Sequence, residues 1–149
     1  MRLVVQRVSR ACVEVDGEIV GEIGQGLAVL VGIAKGDSTK DADYLAAKLV
    51  GLRLFSDSQG RMNLSTGEVG GQLLLISQFT LYGDVRKGRR PAFDRAASPD
   101  AAKELWEYFV SAVRATGTPV ATGRYRAHMV PSLVLDGPVT ILVDSDRSI

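Results

Sequence analysis

One cysteine and one histidine in 149 residues leave little room for several kinds of chemistry. Cys12 alone cannot close an intramolecular disulfide or build a Cys-rich zinc site. His128 alone offers too few ligands for a histidine metal cage, and a Ser-His-Asp or Cys-His site would have to use that one imidazole. No cofactor and no metal are therefore expected. Cys12 reads as a small apolar core residue and His128 as structural or surface. Long apolar runs are missing too: Leu27 to Ala34 falls far short of the roughly 20 residues that cross a bilayer. Met1-Arg2-Leu3-Val4-Val5-Gln6-Arg7 breaks with charge too early for a secretory h-region, so the expected location is cytoplasmic, with no membrane partner. Neither sign of charge dominates. Lys plus Arg at 18 against Asp plus Glu at 17 gives +1, so any nucleic-acid contact must be local.

What remains is an ordinary globular composition, 46% hydrophobic and 23% charged, without repeat, low-complexity tract or linker. Residues 1–149 read as a single domain, long enough to bury a core without staples. Leu3 to Val15, rich in valine and free of Pro and Gly, predicts a long strand or a bent strand pair. Asp16-Gly17 signals a type I′ hairpin into Glu18 to Ile23. Leu27 to Ile33 reads as a central strand buried on both faces. Ala42, Leu45, Ala46, Leu49 and Leu52 recur at helical spacing, and a second helix starts at Ser98 (N-cap) and Pro99, with Leu105, Trp106, Phe109 and Val113 along one face. Between them Gly70-Gly71 leads into a strand from Leu73 to about Leu81. Ser132 to Leu135 and Val139 to Val143 predict two final strands around Asp136-Gly137-Pro138. About seven strands and two helices imply an α/β or α+β fold with helices on a mixed sheet.

Candidate chemistry gathers at four places. The strand ending Ser77-Gln78-Phe79-Thr80-Leu81 turns from aliphatic to hydrogen-bonding side chains at its C-terminal end, where α/β sheets bind ligands; alternatively its hydroxyls only satisfy local backbone. Regular alternation would put Gln78 and Thr80 on one side, and no neighbour supplies a base for a threonine nucleophile. Asp136-Gly137-Pro138 is either a plain tight turn or a backbone wall that another molecule approaches closely, suited to discrimination at a chiral carbon. Arg7 follows Leu3 and Val5 on the odd face, so alternation points its guanidinium inward, where it needs partners, unless a bulge turns it out. Arg86-Lys87-Gly88-Arg89-Arg90 is either a solvated charge run or a phosphate grip beside the polar strand end.

Ser77-Gln78-Phe79-Thr80-Leu81 and Asp136-Gly137-Pro138-Val139-Thr140 resemble, in sequence and separation, the two signature motifs of the D-aminoacyl-tRNA deacylase family. The resemblance spans essentially the whole chain, through Gln6-Arg7-Val8, Phe55-Ser56-Asp57, Met62-Asn63-Leu64, Arg90-Pro91, Ala97-Ser98-Pro99, Thr122-Gly123-Arg124 and Ser132-Leu133-Val134. Leu135 departs from it, standing where the family usually has Asn. The resemblance implies a three-layer fold of helices, sheet and second sheet, with mixed, largely antiparallel β-structure. It implies a cytosolic homodimer that hydrolyses the ester between a D-amino acid, or glycine, and the terminal adenosine of tRNA. It also implies an active site at the subunit interface, where the Gly137-Pro138 turn, with a cis bond held by Arg7, enters the partner's pocket near Met129 and excludes L side chains. Ser77, Gln78, Phe79 and Thr80 would then be the catalytic segment, and Arg86, Lys87, Arg89 and Arg90 would contact tRNA. Two other classes compete: a noncatalytic RNA-binding module built on the basic loop, and a threonine hydrolase acting on small amides.

Overall fold

In a computed structural model describing Met1–Ile149, the valine-rich opening segment is one strand, β1 (Arg2–Val15). Asp16 and Gly17, at φ +50° and +80°, return the chain into β2 (Glu18–Ile23). Two successive positive φ angles are what a type I′ hairpin needs. β1 lends one edge first to β3 (Gly26–Gly32), from Arg2 opposite Gly32 to Val8 opposite Gly26, and then to β2, from Ala11 opposite Ile23 to Val15 opposite Glu18. Helix α1 (Thr39–Gly51) follows β3; Ser38 donates its backbone N–H to Asp41 Oδ2 at 2.8 Å, half of a capping box. A small hairpin, β4 (Phe55–Ser56) with β5 (Met62–Leu64), precedes β6 (Gln72–Ser77). Helix α2 (Pro99–Arg114) begins at Ser98, whose Oγ accepts from the Ala101 N–H at 3.4 Å. β7 (Val120–Thr122) and β8 (Val130–Asp144) complete the fold.

β3, β6 and β7 run parallel, and β8 covers the other edge of β1. The two ends of this path nearly meet. At Gly21 of β2 an added Cβ would fall 2.3 Å from the Thr122 carbonyl oxygen of β7, so only glycine lets the strands come this close. The result is a mixed six-stranded sheet curled almost into a barrel, with two helices against it. Odd residues of β3 and β6 (Leu27, Val29, Leu73, Leu75) meet α1 and α2 in the larger core, while even ones (Ala28, Leu74, Ile76) enter a second, smaller core. β1 serves both. Leu3 and Val5 face the helices, the register shifts around Val8, and beyond it Ala11 and Val13 face the smaller core. A bulge is the device that changes which parity points inward.

Several expectations need correction. The strand expected to reach Leu81 stops at Ser77, and Phe79–Tyr82 is a 3₁₀ turn. Cys12 is half-exposed rather than core, because its buried neighbours Ala11 and Val13 leave it on the outward face opposite Glu22 and Ser132. The two final strands are one interrupted strand paired with β1 on both sides of a corner. Thr140 lies opposite Gln6 and Leu135 opposite Val8, so two steps along β1 span five along β8 and the segment between is extruded. The short strands β4, β5 and β7 carry too few residues for a periodic signal and were not expected.

Candidate active site

The first wall of the site is the end of β6. Gln78 still donates its N–H to the Val31 carbonyl at 2.8 Å, but with φ −148° and ψ 86° it leaves the extended path, and Leu81 N–H bonds back to Gln78 O at 3.3 Å. Gly32, at the end of β3, makes the turn possible: an added Cβ would lie 3.0 Å from Leu81 Cβ and 3.2 Å from Gln78 O. Tyr82 plugs the turn from below, buried and flanked by the Arg2 and Arg95 guanidinium groups at 5.0 and 5.5 Å from its ring. Burial first, and then the Asp144 and Asp37 carboxylates, push its phenol above the usual tyrosine range. Phe79 and Thr80 are thereby thrust outward, Phe79 59% exposed. The opening N–H groups of such a turn have no partner inside it, which leaves main-chain donors at the same spot.

These residues border a cavity of about 590 Å³. Ile76, Ser77, Gln78 and Phe79 form one side; the segment before α2, including Phe93 and Pro99, forms another; Tyr125, Arg126, His128 and Met129 form a third. Phe79 and Phe93 meet edge to face at 5.1 Å between ring centres, a shape on which a nucleobase can stack. The third wall is held rigidly: Tyr125 donates its hydroxyl to Pro99 O at 2.6 Å, and Met129 Sδ fills the space where a Gly123 Cβ would sit, 2.6 Å away. No carboxylate lines the cavity. Gln78 Nε2 donates to Thr80 Oγ1, so the threonine hydroxyl is paired with an amide and not with a base. No three His, Cys, Asp or Glu side chains cluster anywhere in the chain.

The Gly137-Pro138 corner lies outside this lining. Its peptide bond is cis and Gly137 adopts φ +130°, a conformation open to glycine alone. Arg7 braces it from the helix side, as the alternation of β1 suggested. Its side chain is only 13% exposed; Nε donates to Asp136 O at 3.1 Å and lies 3.5 Å from Asp136 Oδ2, while one terminal nitrogen donates to Leu54 O at 2.6 Å. The basic loop is tied at its base by paired Asp84 and Ala92 backbones. Arg86 is occupied: it grips Asp84 at 2.6 Å and holds that carboxyl down at about 2, well below the usual carboxylate range. Lys87, Arg89 and Arg90 are exposed without an ion pair. The loop is not part of the cavity lining.

Of the residues singled out from the sequence and its family resemblance, Ser77, Gln78, Phe79 and Met129 line the cavity and Thr80 does not; Phe93, Tyr125, Arg126 and His128 line it without having been expected there. His128 is exposed on the cavity wall, a placement that one imidazole in an irregular segment does not announce. The Gly123-Arg124-Tyr125-Arg126 run, with small and large residues juxtaposed, was the available signal.

The chain is thus a mixed α/β sheet curled almost into a barrel, with a mostly apolar cleft at the end of β6. The profile of the family described as D-Tyr-tRNA(Tyr) deacylase matches residues 4–144. A D-aminoacyl-tRNA deacylase of Symbiobacterium thermophilum is 57% identical over 148 residues, 99% of this chain and 98% of the relative. One of Koribacter versatilis is 58% identical over 147 residues, 99% of each. Among solved structures, a c-Myc DNA Unwinding Element Binding Protein superposes with TM-score 0.92 at 37% identity, over 97% of this chain and 98% of that one. A probable eukaryotic D-amino acid tRNA deacylase shares the fold at TM-score 0.81 and 18% identity, over 96% and 98%. The chain belongs to the D-aminoacyl-tRNA deacylase family, hydrolases of aminoacyl-tRNA ester bonds.

Proposed function

We propose that the enzyme acts in the cytoplasm as a homodimer and hydrolyses the ester joining a D-amino acid, or glycine, to the terminal adenosine of tRNA. The observation that carries this reading is a cleft bordered by Ser77, Gln78 and Phe79 and lacking any carboxylate, in a chain whose backbone corner lies elsewhere. An aminoacyl ester is activated already and needs positioning and charge stabilisation more than proton transfer. Adenine stacks on the Phe79–Phe93 pair. Ser77 and Gln78 orient the ester, and main-chain N–H groups at Phe79 and Thr80 receive the carbonyl oxygen as it becomes an oxyanion. Water attacks the carbonyl carbon, the ribose oxygen departs with a proton, and the neighbouring 2′-hydroxyl assists.

Selection for chirality follows from the corner. In the dimer, Gly137 and Pro138 of one protomer enter the other's cleft near Met129, and main-chain atoms occupy the direction an L side chain would take. Arg7 keeps that corner in place. A glycyl ester, without a side chain, passes the same filter. Lys87, Arg89 and Arg90, with Arg86 stiffening their loop, attract the tRNA backbone. The two cores, one under the helices and one on the opposite face of the sheet, support a three-layer reading in which the curled part of the sheet is the third layer.

The deciding experiment is hydrolysis of matched D-Tyr-tRNA and L-Tyr-tRNA by purified protein. Cleavage of the D ester and of Gly-tRNA with the L ester spared is the expected result; equal rates on D and L esters would refute the filter.

A further inference from the structure

One cation on the cavity wall has no structural task. Arg126 lines the cavity, is exposed, and enters none of the four ion pairs of the chain. By contrast Arg2, Arg7 and Arg86 each hold a carboxylate. The backbone makes the choice of residue stranger. Ala127 donates its N–H to Arg124 O at 3.2 Å, closing a turn in which Arg126 is the third residue, and its φ is +62°. That position favours glycine or asparagine, because a Cβ in the left-handed region crowds the following carbonyl. A long charged side chain held at such a site, beside a cleft, points from backbone strain toward function.

We infer that Arg126 grips the phosphodiester that joins the terminal adenosine to the rest of the tRNA. This rests on the deacylase reading above. If adenosine occupies the cleft, its one 5′ phosphate must leave at the wall. Arg126 is the only lining residue with a permanent positive charge, and no lining carboxylate competes for it. A guanidinium meets two phosphate oxygens at once, which fixes orientation as well as affinity. The wall around it is braced by the Tyr125 hydroxyl on Pro99 and by Met129 against Gly123, so the side chain projects from a fixed base. The loop of Lys87, Arg89 and Arg90 is left for phosphates farther along.

The test compares two D-tyrosyl esters, full D-Tyr-tRNA and D-tyrosyl-adenosine, which has a free 5′-hydroxyl and no phosphate. The readout is the ratio of kcat/KM on tRNA to kcat/KM on the nucleoside ester. Arg126→Gln, which removes the charge and shortens the side chain but keeps an amide donor, is expected to lower that ratio on the order of tenfold, chiefly through KM. Arg126→Lys should recover a large part of it, because charge is retained without the fork. The salt dependence of KM for tRNA should also weaken in Arg126→Gln by roughly one counterion. A ratio unchanged in Arg126→Gln, or an equal loss on both esters, would overturn the assignment. Wild-type protein cleaving neither ester would overturn the deacylase reading on which it rests.

Discussion

Thr80 is the residue whose role the geometry constrains most. It holds the sole hydroxyl on an outward turn beside the cleft, an address that suits a nucleophile. A hydroxyl attacks only when a base takes its proton, however, and Thr80 Oγ1 accepts from the Gln78 amide while the cleft offers no carboxylate. On the function proposed above, its contribution is positional. Thr80→Ala should keep kcat on D-Tyr-tRNA within about tenfold of wild type, the loss of one positioning hydrogen bond. A fall to the uncatalysed rate, with a covalent adduct on Thr80 in wild type, would make it a nucleophile after all. The complementary measurement uses tRNA ending in 2′-deoxyadenosine charged on its 3′ oxygen: its hydrolysis should be slowed severely, and unimpaired turnover would remove the ribose hydroxyl from the mechanism.

At the scale of elements, strength of pattern decided what could be read in advance. Leu27 to Ile33 is apolar at every position and could hardly be other than a buried strand; Ser98-Pro99 followed by apolar residues at helical spacing marks α2 almost to the residue. Failures occur where a long-range contact outweighs local preference. Nothing between Ser77 and Leu81 breaks a strand; the 3₁₀ turn exists because Gly32 yields space and Tyr82 is anchored between two arginines distant in sequence. Likewise Asp136-Gly137-Pro138 carries turn chemistry, yet both flanks stay paired with the same strand because β1 is long enough to hold them. Arg7 was legible as an inward charge, whereas its acceptor Leu54 O, 47 residues away, was not. Curling of the sheet was equally hidden, since it depends on Gly21 meeting the backbone of Thr122. Gly21→Ala should force β2 and β7 apart at a cost of about 1–3 kcal/mol. Calorimetry should then record a midpoint lower by roughly 2–4 °C for each kcal/mol lost. An unchanged midpoint would mean that the sheet closes less tightly in solution.

At the scale of the molecule, the fold leaves the cleft and the Gly137-Pro138 corner apart. β8 exposes Val130, Val134, Leu135 and Leu142, and such an apolar strand in open solvent is a template for association. Leu135 adds apolar surface next to the corner. The cleft and the corner border no common cavity within a protomer. If each site takes its cleft from one copy and its corner from the other, two differently damaged proteins should repair one another. Gln78→Ala impairs the cleft, and Gly137→Ala disturbs the corner, where an added Cβ would lie 2.9 Å from Val139 N at a φ that L residues avoid. Denatured together in equal amounts and refolded, the variants form roughly half heterodimers, each with one undamaged site out of two, so about a quarter of wild-type sites are restored. D-Tyr-tRNA hydrolysis by the mixture should approach that fraction while either variant refolded alone stays far below it. Activity no higher than the mean of the two separate variants would assign cleft and corner to the same chain.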